Sequence, residues 1–393
     1  MLGVREYRED ERRALARLSA LSFGNAVSWW ETYYDPRKNP RIEPGGVYVV
    51  EEDGGLRATA AVLPLETYVD GRAVAMGGVA AVNTHPAYRR KGQAGALVRA
   101  LLAGMREEGV HLSMLWPFAH AFYRVYGWEL AGESIEYELK PTDLPTSAEQ
   151  RNVRAYREGD LPRLMELFSR EACRHPLAVV RSEAHWRRWL GQDGNEAAVY
   201  ERDGGVEGYA LYSMSEWRER EEPHRTLSVK EIGVRSVGAR EGLISFCGAQ
   251  DPLMFGVRIS APRGEPLHPY LPSSHVKVKV ETQFMLRLVD VEGALGLLRR
   301  EVEEPLVLEV TDDVIPENAG EYTVGRGEVA SGAEAAESVT LDVRRLAQLY
   351  AGYLPARQLA RHGEIRVSSP DALARLERLF PAGDPWVYPL DHV

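Results

Sequence analysis

The chain has 393 residues, of which 44% are hydrophobic and 27% charged, and its net charge is −10. This length predicts two or three domains, and the composition excludes a disordered or fibrous chain. The negative charge disfavours general binding to nucleic acid or anionic membranes, and no run of about 18 apolar residues predicts a spanning helix. Because Cys173 and Cys247 are the only cysteines and no Cys/His cluster or apolar leader is present, we expect a cytoplasmic protein without a disulfide framework or bound metal.

The first residues of the chain recur about 150 positions later. Segments Val4–Leu18 and Val153–Leu167 agree at seven of fifteen aligned positions. Segment Val50–Leu56, with its Asp-Gly-Gly, recurs as Tyr200–Val206 at nearly the same offset. The first pair predicts a strand that leads into an amphipathic helix, and the second predicts a tight hairpin turn, where glycine supplies positive φ. The sequence therefore predicts an internal duplication, although charged helices and Asp-Gly-Gly turns also recur by chance.

The duplication divides the chain into three predicted domains. We place the first copy at 1–145 and the second at 146–282, joined near the proline-containing stretch KPTDLPTSAEQ. From about Gln283 the pattern changes, since strand-like stretches such as LVLEVTD alternate with helical ones such as RRLAQLYAGY. Residues 283–393 are therefore predicted to form a third domain, of the α+β class.

The most informative stretch runs from Gly77 to Gly109. An apolar strand over Val79–Val82 is followed by a break at Pro86, a basic glycine-containing loop and an amphipathic helix. The N–H groups of a helix's first turn have no partner within the helix and favour an anion, and small residues let a phosphate approach the main chain. The arrangement predicts a pyrophosphate site. The alternative interpretation of the same residues is a solvated basic turn before an ordinary helix. The core-facing stripe of that helix consists of Leu97, Val98, Leu101 and Leu102.

This stretch resembles the signature of the GNAT superfamily of N-acetyltransferases, Arg-x-x-Gly-x-Gly/Ala. The matching positions are Arg89, Arg90, Lys91, Gly92, Gln93 and Ala94, followed by Gly95. The resemblance implies that these residues bind the pyrophosphate of acetyl-CoA, the co-substrate. It also implies that the preceding strand binds the pantetheine arm through the backbone of Val82, Asn83 and Thr84. GxxxxGK[ST] and GxGxxG are absent from the stretch, which disfavours a nucleotide P-loop or a dinucleotide site.

A second GNAT-like motif follows the next predicted strand, Val110–Pro117. The family pattern, a helix that ends in Tyr-x-x-x-Gly-Phe, corresponds here to Tyr123 through Trp128. The resemblance implies that Tyr123 lies near the cofactor sulfur and protonates the departing thiolate, a role that suits a donor with a pKa of about 10. Tyr126 fits the core better, and the alternative for Tyr123 itself is a packing role only.

Two GNAT-like copies and an α+β C-terminal domain resemble one branch of the superfamily, the enhanced intracellular survival (Eis) acetyltransferases. The resemblance covers essentially the whole chain and implies an α/β fold of tandem GNAT domains, each a mixed, mostly antiparallel sheet flanked by helices, plus a sterol carrier protein-like α+β domain. It also implies N-acetylation of amines, including aminoglycosides, and assembly as a homo-hexamer. The second copy lacks Arg-x-x-Gly-x-Gly, since its text over 232–246 is IGVRSVGAREGLISF, so we expect one cofactor site per chain.

A catalytic base is needed because the attacking amine is mostly protonated at neutral pH. Many GNAT enzymes carry a glutamate on the strand before the signature, but Gly77–His85 contains no Asp or Glu. The Eis resemblance implies the C-terminal carboxylate instead, here that of Val393, although the family usually ends in an aromatic residue. An ordinary C-terminal carboxylate, with a pKa of about 3.5, is a weak base, so burial or a relaying water would be required. His85 and His120 are fallback candidates, and each has the alternative of a structural role.

Aromatic residues after the first predicted helix are candidates for the acceptor wall. Residues 22–36 read SFGNAVSWWETYYDP, and GNAT enzymes commonly build this wall in the corresponding region. Such rings could stack on a ligand or a cation, but rings at helical spacing more often belong to the core. The candidates for substrate contact are Phe23, Trp29, Trp30 and, near the C-terminus, His392, with Tyr33 and Tyr34 beside the tryptophans.

The sequence thus favours transfer of acetyl from acetyl-CoA to a primary amine by direct attack in a ternary complex. The amine could belong to a small molecule, such as an aminoglycoside or a polyamine, or to a protein lysine. The competing hypothesis is a binding protein whose C-terminal domain carries an apolar ligand on a non-catalytic GNAT scaffold. The intact Arg89–Ala94 signature favours the enzyme, because a scaffold would not need it.

Overall fold

The fold is that of a computed structural model, which describes residues 3–214, 225–250, 255–300, 304–325, 328–331 and 337–392. Within these residues lie nineteen strands and eleven α-helices, and none of the helices is long and apolar enough to cross a membrane. The strands are β1 (Val4–Glu6), β2 (Val47–Glu52), β3 (Gly55–Val69), β4 (Arg72–Thr84), β5 (Leu112–Leu115), β6 (Glu129–Leu130), β7 (Glu133–Leu139), β8 (Val153–Ala155), β9 (Asn195–Arg202), β10 (Gly205–Met214), β11 (Thr226–Val234), β12 (Gly256–Pro262), β13 (Lys277–Thr282), β14 (Met285–Leu288), β15 (Leu306–Thr311), β16 (Gly320–Gly325), β17 (Glu328–Ser331), β18 (Ser338–Asp342) and β19 (Arg366–Val367). The helices are α1 (Arg12–Phe23), α2 (Val27–Tyr33), α3 (Gln93–Glu107), α4 (His120–Arg124), α5 (Leu161–Ala172), α6 (Glu183–Leu190), α7 (Val237–Gly248), α8 (Val291–Gly296), α9 (Val343–Tyr350), α10 (Ala356–Arg361) and α11 (Pro370–Leu379).

The described chain forms two compact units. One contains residues 3–131 and 284–383, and the other contains residues 132–283 and 384–392. Each unit is therefore assembled from two segments that are distant in sequence.

The first unit contains a seven-stranded sheet in the order β1-β2-β3-β4-β5-β14-β6. Its neighbouring strands are antiparallel except for β4 and β5, which are parallel. Helix α3 buries its predicted apolar stripe in a cluster that includes side chains of β4, α4 and β14. The predicted strand over Val79–Val82 is confirmed as part of β4. That strand begins earlier than expected, at Arg72, because it forms a long hairpin with β3.

The second unit contains another seven-stranded sheet, in the order β13-β7-β12-β11-β10-β9-β8. Its one parallel pair among the described strands is β11 with β12. Helices α5 and α7 both pack against β10, and each presents buried apolar side chains to the sheet. Cys247 on α7 is buried and free, and Cys173 after α5 is half-buried and free.

Matching ion pairs in the two sheets confirm the predicted duplication. Arg5 of β1 donates to the carboxylates of Glu11 and of Glu51 on β2. The same geometry recurs about 150 positions later among Arg154, Asp160 and Glu201. An arginine on the first strand of each copy therefore holds the following turn and the neighbouring strand together.

The two Asp-Gly-Gly segments form the predicted hairpin turns. Asp53 and Gly54, with φ of 50° and 69°, join β2 to β3. Asp203 and Gly204, with φ of 50° and 76°, join β9 to β10. Both turns need the left-handed region that glycine, and to a lesser degree aspartate, tolerates, so this part of the repeat was readable from local chemistry.

The C-terminal part of the first unit contains a five-stranded sheet in the order β17-β16-β15-β18-β19. Strands β15 and β18 are parallel, and the other neighbours are antiparallel. Asp342 caps α9 by accepting the N–H groups of Arg344 and Arg345, and α9 and α11 both pack against β18. The mixture of strands and helices agrees with the α+β class predicted for this part of the chain.

Two strands pair with the sheet of a predicted domain other than their own. Strand β7 precedes the predicted domain limit at residue 145, and it pairs with β12 and β13 in the second sheet. Strand β14 follows the predicted limit at residue 282, and it pairs with β5 and β6 in the first sheet. The limits themselves stay a prediction, and the pairing adds an exchange of strands that they do not describe.

Candidate active site

Strands β4 and β5 separate at one end of the first sheet. Their last parallel pair is Val79 with Leu115, whereas β4 continues along β3 to Thr84. A bulge at Ala81, whose φ is 51°, bends β4 just after the two strands part. In the described chain no strand pairs with this side of β4 beyond Val79, so its backbone groups have no strand partner there. The residues predicted to bind pantetheine, Val82, Asn83 and Thr84, lie on this segment.

The predicted pyrophosphate loop, His85–Gly92, connects this open edge to α3. Arg90 and Gly92 have left-handed backbones, with φ of 60° and 82°. Gly92 is the N-cap residue of α3, and no side chain caps the helix there. The N–H groups of the first turn, which contains Gln93, Ala94 and Gly95, are therefore available to an anion.

Positive charge gathers around this helix terminus. Arg89, Arg90 and Lys91 are exposed, and Arg89 Nε donates to the Thr84 carbonyl oxygen at 3.3 Å. The ring of Tyr88 is flanked by two cations: its centre lies 4.9 Å from Lys91 Nζ and 4.2 Å from the guanidinium carbon of Arg57. Sequence reasoning missed Arg57, because it lies on β3 and reaches the loop only through the pairing of β3 with β4.

The first turn of α3 lies against Tyr126. A β-carbon on Gly95 would collide with the Tyr126 hydroxyl, so this glycine is required for close packing. Arg99, one turn further along, has its guanidinium carbon 4.9 Å from the centre of the Tyr126 ring. Gln93 is buried and donates to Glu52 at 3.3 Å, while its side-chain oxygen has no hydrogen-bond partner among the described residues. Tyr126 is 8% exposed, which agrees with the core role that the sequence favours for it.

Tyr123 lies on α4, and it is only 3% exposed. It belongs to the same apolar cluster as Val82 of β4 and the buried stripe of α3. Its ring meets those of Phe122 and Trp128 edge to face. Burial raises the pKa of Tyr123 above its ordinary value of 10.0, so the hydroxyl stays protonated at neutral pH. The structure thus places Tyr123 beside the open edge of β4 and the helix that follows it.

Gly127, at the end of this motif, faces a buried arginine from a distant segment. Its φ is 86°, and a β-carbon there would lie 2.7 Å from Cζ of Arg287 on β14. Arg287 is fully buried and pairs with Asp312, which follows β15. Burial lowers the pKa of Arg287 despite this partner. The segment that carries Tyr123 is therefore packed against β14. No sequence signal indicated this contact, because Gly127 and Arg287 are 160 residues apart.

The predicted acceptor residues Phe23, Trp29 and Trp30 come together at the ends of α1 and α2. Trp30 is buried, its indole N–H donates to the Gly24 carbonyl oxygen at 2.9 Å, and the Phe23 ring stacks on it with 5.4 Å between centroids. Phe23 and Trp29 are 49% and 47% exposed. Trp30 is thus a core residue, as its helical spacing predicts, while Phe23 and Trp29 present aromatic surface to solvent.

A chain of hydrogen bonds links this aromatic cluster to the open edge of β4. The hydroxyl oxygens of Tyr34 and Ser19 are 2.9 Å apart, and Asn83 donates to the Ser19 hydroxyl at 3.2 Å. Asn83 also donates to the Ala81 carbonyl oxygen at 3.0 Å, within the bulge. All three side chains are buried, and burial raises the pKa of Tyr34. The predicted acceptor region and the predicted pantetheine strand are therefore in direct contact.

The candidate bases lie in different settings. His85 accepts the Ala87 N–H at 3.3 Å through Nδ1 and so caps a short turn, which is a structural role. His120 is half-buried at the first position of α4. His392, a candidate for substrate contact, is exposed near the end of the second unit. Val393 lies outside the described residues, so its assignment as base stays a prediction.

The second copy has a different connection at the corresponding place. Within the described segment 225–250, only Arg235 and Ser236 separate β11 from α7. Ser236 caps α7 with its own side chain and donates to the Glu207 carboxylate at 2.7 Å. A β-carbon on Gly238, in the first turn, would lie 3.5 Å from a carboxylate oxygen of Glu149. Protein carboxylates thus surround the helix start that, in the first copy, is open and positively charged.

Comparisons with known proteins agree with this geometry. Residues 3–131 match an acetyltransferase (GNAT) domain family, and residues 177–288 match a second acetyltransferase (GNAT) domain family. Residues 291–388 match the sterol carrier protein domain family. A protein of Streptomyces griseus described as an uncharacterized N-acetyltransferase is 26% identical over 348 residues, which cover 81% of this chain and 83% of that relative.

Solved structures share the whole fold. A GCN5-related N-acetyltransferase from Anabaena variabilis superposes with a TM-score of 0.88 at 23% identity, over 100% of both chains. Eis1 from Mycobacterium abscessus superposes with a TM-score of 0.79 at 21% identity, also over 100% of both chains. The chain is a GNAT N-acetyltransferase, and its fold is similar to that of Eis1. The predicted family, fold class and enzyme class are thereby confirmed.

As a GNAT N-acetyltransferase, the protein requires an amine acceptor. GNAT acetyltransferases typically take the acetyl group from acetyl-CoA. Three features suit such a donor. The open edge of β4 offers pairing to an extended chain, the uncapped start of α3 offers N–H groups to a phosphate, and the loop before α3 offers positive charge.

Proposed function

We propose that this GNAT enzyme uses acetyl-CoA and transfers its acetyl group to a primary amine by direct attack in a ternary complex. The observation that carries the proposal is the open edge of β4 beyond Val79, which leads to the uncapped N-terminus of α3. An extended pantetheine arm can hydrogen-bond to such an edge as an added strand would, and a pyrophosphate can accept from the first-turn N–H groups. The proposed donor site comprises the backbone of Val82, Asn83 and Thr84, the cations Arg89, Arg90 and Lys91, and the helix start at Gly92, Gln93, Ala94 and Gly95.

The reaction exchanges a C–S bond for a C–N bond. The neutral amine attacks the thioester carbonyl carbon, a C–N bond forms, and the C–S bond breaks to release CoA as a thiolate. One proton leaves the nitrogen and one proton is delivered to sulfur, so the site needs a base and a proton donor. Because an amine and a thioester react readily once together, holding them in position provides most of the acceleration.

We assign the donor role to Tyr123. Burial raises its pKa, which keeps the hydroxyl protonated and able to donate a hydrogen bond to sulfur as negative charge develops. A thiolate whose conjugate thiol has an ordinary pKa, about 8.5, is a weaker base than such a phenolate. The hydrogen bond is therefore expected to stabilise the thiolate before the proton is fully transferred.

We assign the base role to the C-terminal carboxylate of Val393, as the Eis resemblance implies. The strand and turn before the signature, Gly77–His85, contain no acidic residue, and His85 is engaged in capping a turn. His120 is the remaining alternative on the α4 side of the site. A carboxylate base removes one proton from the ammonium form, passes it to solvent and leaves the neutral amine that attacks. The second proton leaves the nitrogen as the C–S bond breaks and balances the proton delivered to sulfur, so one proton is released overall.

The acceptor is proposed to bind at the exposed rings of Phe23 and Trp29, which pack on the buried Trp30, with His392 as a further candidate. Exposed aromatic faces attract ammonium groups, and the net charge of −10 also favours a cationic acceptor. Aminoglycosides, polyamines and protein lysines all provide such amines. A panel of these three classes, assayed by release of the CoA thiol, would identify the acceptor class.

The assembly and the compartment are proposed on narrower grounds. We propose a homo-hexamer because of the Eis resemblance, and a cytoplasmic location because Cys173 and Cys247 are both free. Light scattering on the purified enzyme tests the hexamer, since a monomeric mass would reject it.

Calorimetric titration of acetyl-CoA into the purified protein tests the donor. We expect one site per chain in the wild type. In the Arg89→Ala/Arg90→Ala variant we expect the affinity to fall about 100-fold, because each charge-assisted hydrogen bond contributes about 1.5 kcal/mol. Loss of affinity in a variant that keeps its unfolding temperature would support the signature as the binding site.

The matched control is Arg235→Ala, which removes the arginine before the corresponding helix of the second copy. This variant should bind acetyl-CoA as the wild type does. Two sites per chain, or an equal loss of affinity in both variants, would contradict a single site in the first copy. Absence of binding by the folded wild type would reject acetyl-CoA as donor and favour the apolar-ligand carrier, which lipid extraction of the pure protein would then reveal.

A further inference from the structure

The last described residues, 384–392, pack against the second sheet. This segment, the C-terminal tail, belongs to the second unit. Gln283 donates to the Val387 carbonyl oxygen at 3.1 Å, and the Gly264 N–H donates to the Asp384 carboxylate at 2.7 Å. The buried residues of the tail are Trp386, Val387, Tyr388 and Asp391. The tail is thus part of the fold of the second copy, although it is separated from that copy by the whole C-terminal domain in sequence.

One buried arginine joins the tail to the sheet. Arg181, just before α6, donates to both oxygens of Asp391, from Nε at 3.0 Å and from Nη2 at 2.6 Å. It also donates to both oxygens of Glu231 on β11, at 2.7 and 3.3 Å. The three side chains are at most 1% exposed. This group of three, the tail anchor, therefore connects the tail to the centre of the second sheet through four hydrogen bonds to one guanidinium.

Neighbouring groups support the tail anchor. The Arg181 guanidinium carbon lies 4.0 Å from the centre of the Phe168 ring and 4.5 Å from the centre of the Trp186 ring. The Tyr209 hydroxyl donates to Glu231, and His185 Nε2 lies 3.0 Å from the Leu390 carbonyl oxygen. Aromatic faces and hydrogen bonds together fix the orientation of the guanidinium.

The charge state of the anchor follows from its burial. Burial alone would lower the pKa of Arg181, but the carboxylates of Asp391 and Glu231 raise it above its ordinary value, so the guanidinium stays charged. Burial raises the pKa of Glu231 even beside this cation. Without Arg181, two carboxyl groups would face each other in an environment that disfavours their charge, and the tail would be driven out.

The tail anchor lies where the parallel strands of the second copy part. Strands β11 and β12 pair only as far as Val229 with Ile259, and Glu231 lies two residues further along β11. In the first copy, the residues beyond Val79 and Leu115 form the open edge proposed for acetyl-CoA. The turn Pro389–Asp391 of the tail contacts β11. The counterpart of the edge proposed for acetyl-CoA in the first copy is therefore a strand that the chain's own tail contacts in the second.

We propose that Arg181 is a positioning residue for acetyl transfer, which holds the C-terminal tail through Asp391 and Glu231 and thereby limits how far the terminal carboxylate can move. This proposal rests on the proposed function, in which that carboxylate is the base. Val393 is two residues beyond Asp391 in sequence, and two residues of chain span at most about 7 Å. Anchoring Asp391 therefore restricts where the base can act, whereas an unanchored tail would let it diffuse away from the amine.

The first test compares amine-dependent release of CoA by the full-length wild type, Asp391→Asn and Arg181→Met. We expect kcat to fall about tenfold in Asp391→Asn and further in Arg181→Met, with the Kd for acetyl-CoA within twofold of wild type. Hydrogen exchange in residues 384–392 should increase in the same order. Asp391→Asn keeps the pair of Arg181 with Glu231, so it decides the outcome if Arg181→Met does not fold.

The matched control is Arg154→Met. Arg154 also bridges two carboxylates in the second unit, Asp160 and Glu201, but it does not contact the tail. This variant should keep the wild-type kcat and the wild-type exchange in residues 384–392. An equal loss of kcat in Arg154→Met would show a general effect of destabilising the unit and would overturn the positioning role.

A double variant separates positioning from a purely structural role. Deleting Val393 moves the terminal carboxylate by one residue and should itself cripple turnover. If Arg181 acts through that carboxylate, Arg181→Met should lower kcat less than twofold in the deleted background. Losses that multiply would overturn the proposal. Full activity of the protein without Val393 would overturn both the base assignment and this proposal. Low activity of that protein, together with wild-type kcat in Asp391→Asn and Arg181→Met, would overturn this proposal alone.

Discussion

The two GNAT copies of this chain use the same scaffold and diverge at one connection. In both, an arginine on the first strand bridges two carboxylates, and in both a hairpin turns through aspartate and glycine. The first copy then takes the eight residues His85–Gly92 to pass from its parallel pair to its helix, and the second takes two. Gly92 is the N-cap residue of α3, which no described side chain caps, whereas the side chain of Ser236 caps α7.

If acetyl-CoA binds as proposed, the two copies differ in anion binding because of this connection and not because of the sheet. A side chain that caps a helix occupies the N–H groups that a phosphate would otherwise use. In the second copy Ser236 caps the helix in this way and donates to Glu207, so we expect no phosphate site there. Beyond the last parallel pair of the second copy, the turn Pro389–Asp391 of the C-terminal tail contacts β11.

The largest expected effect concerns the segment after the fifth strand of each copy. The first copy has α4 with Tyr123, and the second has a short turn, His268–Tyr270, whose tyrosine is 63% exposed. Tyr123→Phe should lower kcat about 100-fold, the usual contribution of a positioned proton donor, and leave the Kd for acetyl-CoA within twofold. Steady-state assays of thiol release and calorimetry measure the two quantities. Tyr270→Phe is the control and should change neither, and unchanged turnover in Tyr123→Phe would remove the donor assignment.

A smaller effect is expected from adding one methyl group to each helix start. A β-carbon on Gly95 would meet the Tyr126 hydroxyl, and one on Gly238 would lie 2.9 Å from the Tyr200 hydroxyl oxygen. Gly95→Ala and Gly238→Ala should each destabilise the protein by about 1–3 kcal/mol through overpacking. Only Gly95→Ala should also weaken acetyl-CoA binding, by about fivefold, because its helix start faces the ligand. Thermal unfolding with and without acetyl-CoA measures both effects, and weakened binding in Gly238→Ala would break the proposed division of roles.

The smallest effect tests the shared scaffold. Arg5 and Arg154 have side chains 28% and 22% exposed, so Arg5→Met and Arg154→Met should each cost only about 1 kcal/mol of stability. Urea unfolding of the two variants should give similar losses. A loss several times larger in one copy would show that the matching contacts contribute unequally to the free energy of unfolding.

The effect of Arg5→Met on stability is expected to depend on pH. The hydrogen bond from Arg5 lowers the pKa of Glu11 from 4.5 to about 2. Because the folded-state pKa lies below the unfolded one, this pair stabilises the protein fully above pH 4.5, and the contribution is lost as the pH falls toward 2. The difference in urea midpoint between wild type and Arg5→Met should therefore shrink over that range. A difference that is constant down to pH 2.5 would contradict the pairing.

Local chemistry explains which parts of the fold the sequence could predict. The hairpin turns were predictable because their aspartate and glycine residues tolerate positive φ, and α3 was predictable from its apolar period. The exchange of β7 and β14 was not, because strand pairing depends on residues that are far apart and carry no shared local signal. The contact of Gly127 with Arg287 was unpredictable for the same reason. A glycine, here with φ of 86°, indicates a turn, but it does not indicate that a distant guanidinium packs against it.

The candidate site shows the same limit. The signature Arg89–Ala94 is contiguous, so its loop and helix start could be predicted and placed together. The bulge at Ala81 was not predictable, because nothing about an alanine between apolar residues indicates a φ of 51°. Arg57 and Arg181 were missed for a related reason. Each contacts residues that are distant in sequence, and those partners are known only once the chain has folded.

The crossing of β14 into the first sheet has a consequence for synthesis of the enzyme. Every other strand of that sheet has been made by Leu130, but the strand that pairs with both β5 and β6 ends only at Leu288. At about 5–20 residues per second, the nascent chain waits roughly ten to thirty seconds with those strand edges unpaired. During that interval it presents a template for wrong pairing, and chaperones would be expected to bind it. A messenger cut short after the first GNAT copy would therefore yield an aggregation-prone fragment and not a smaller acetyltransferase.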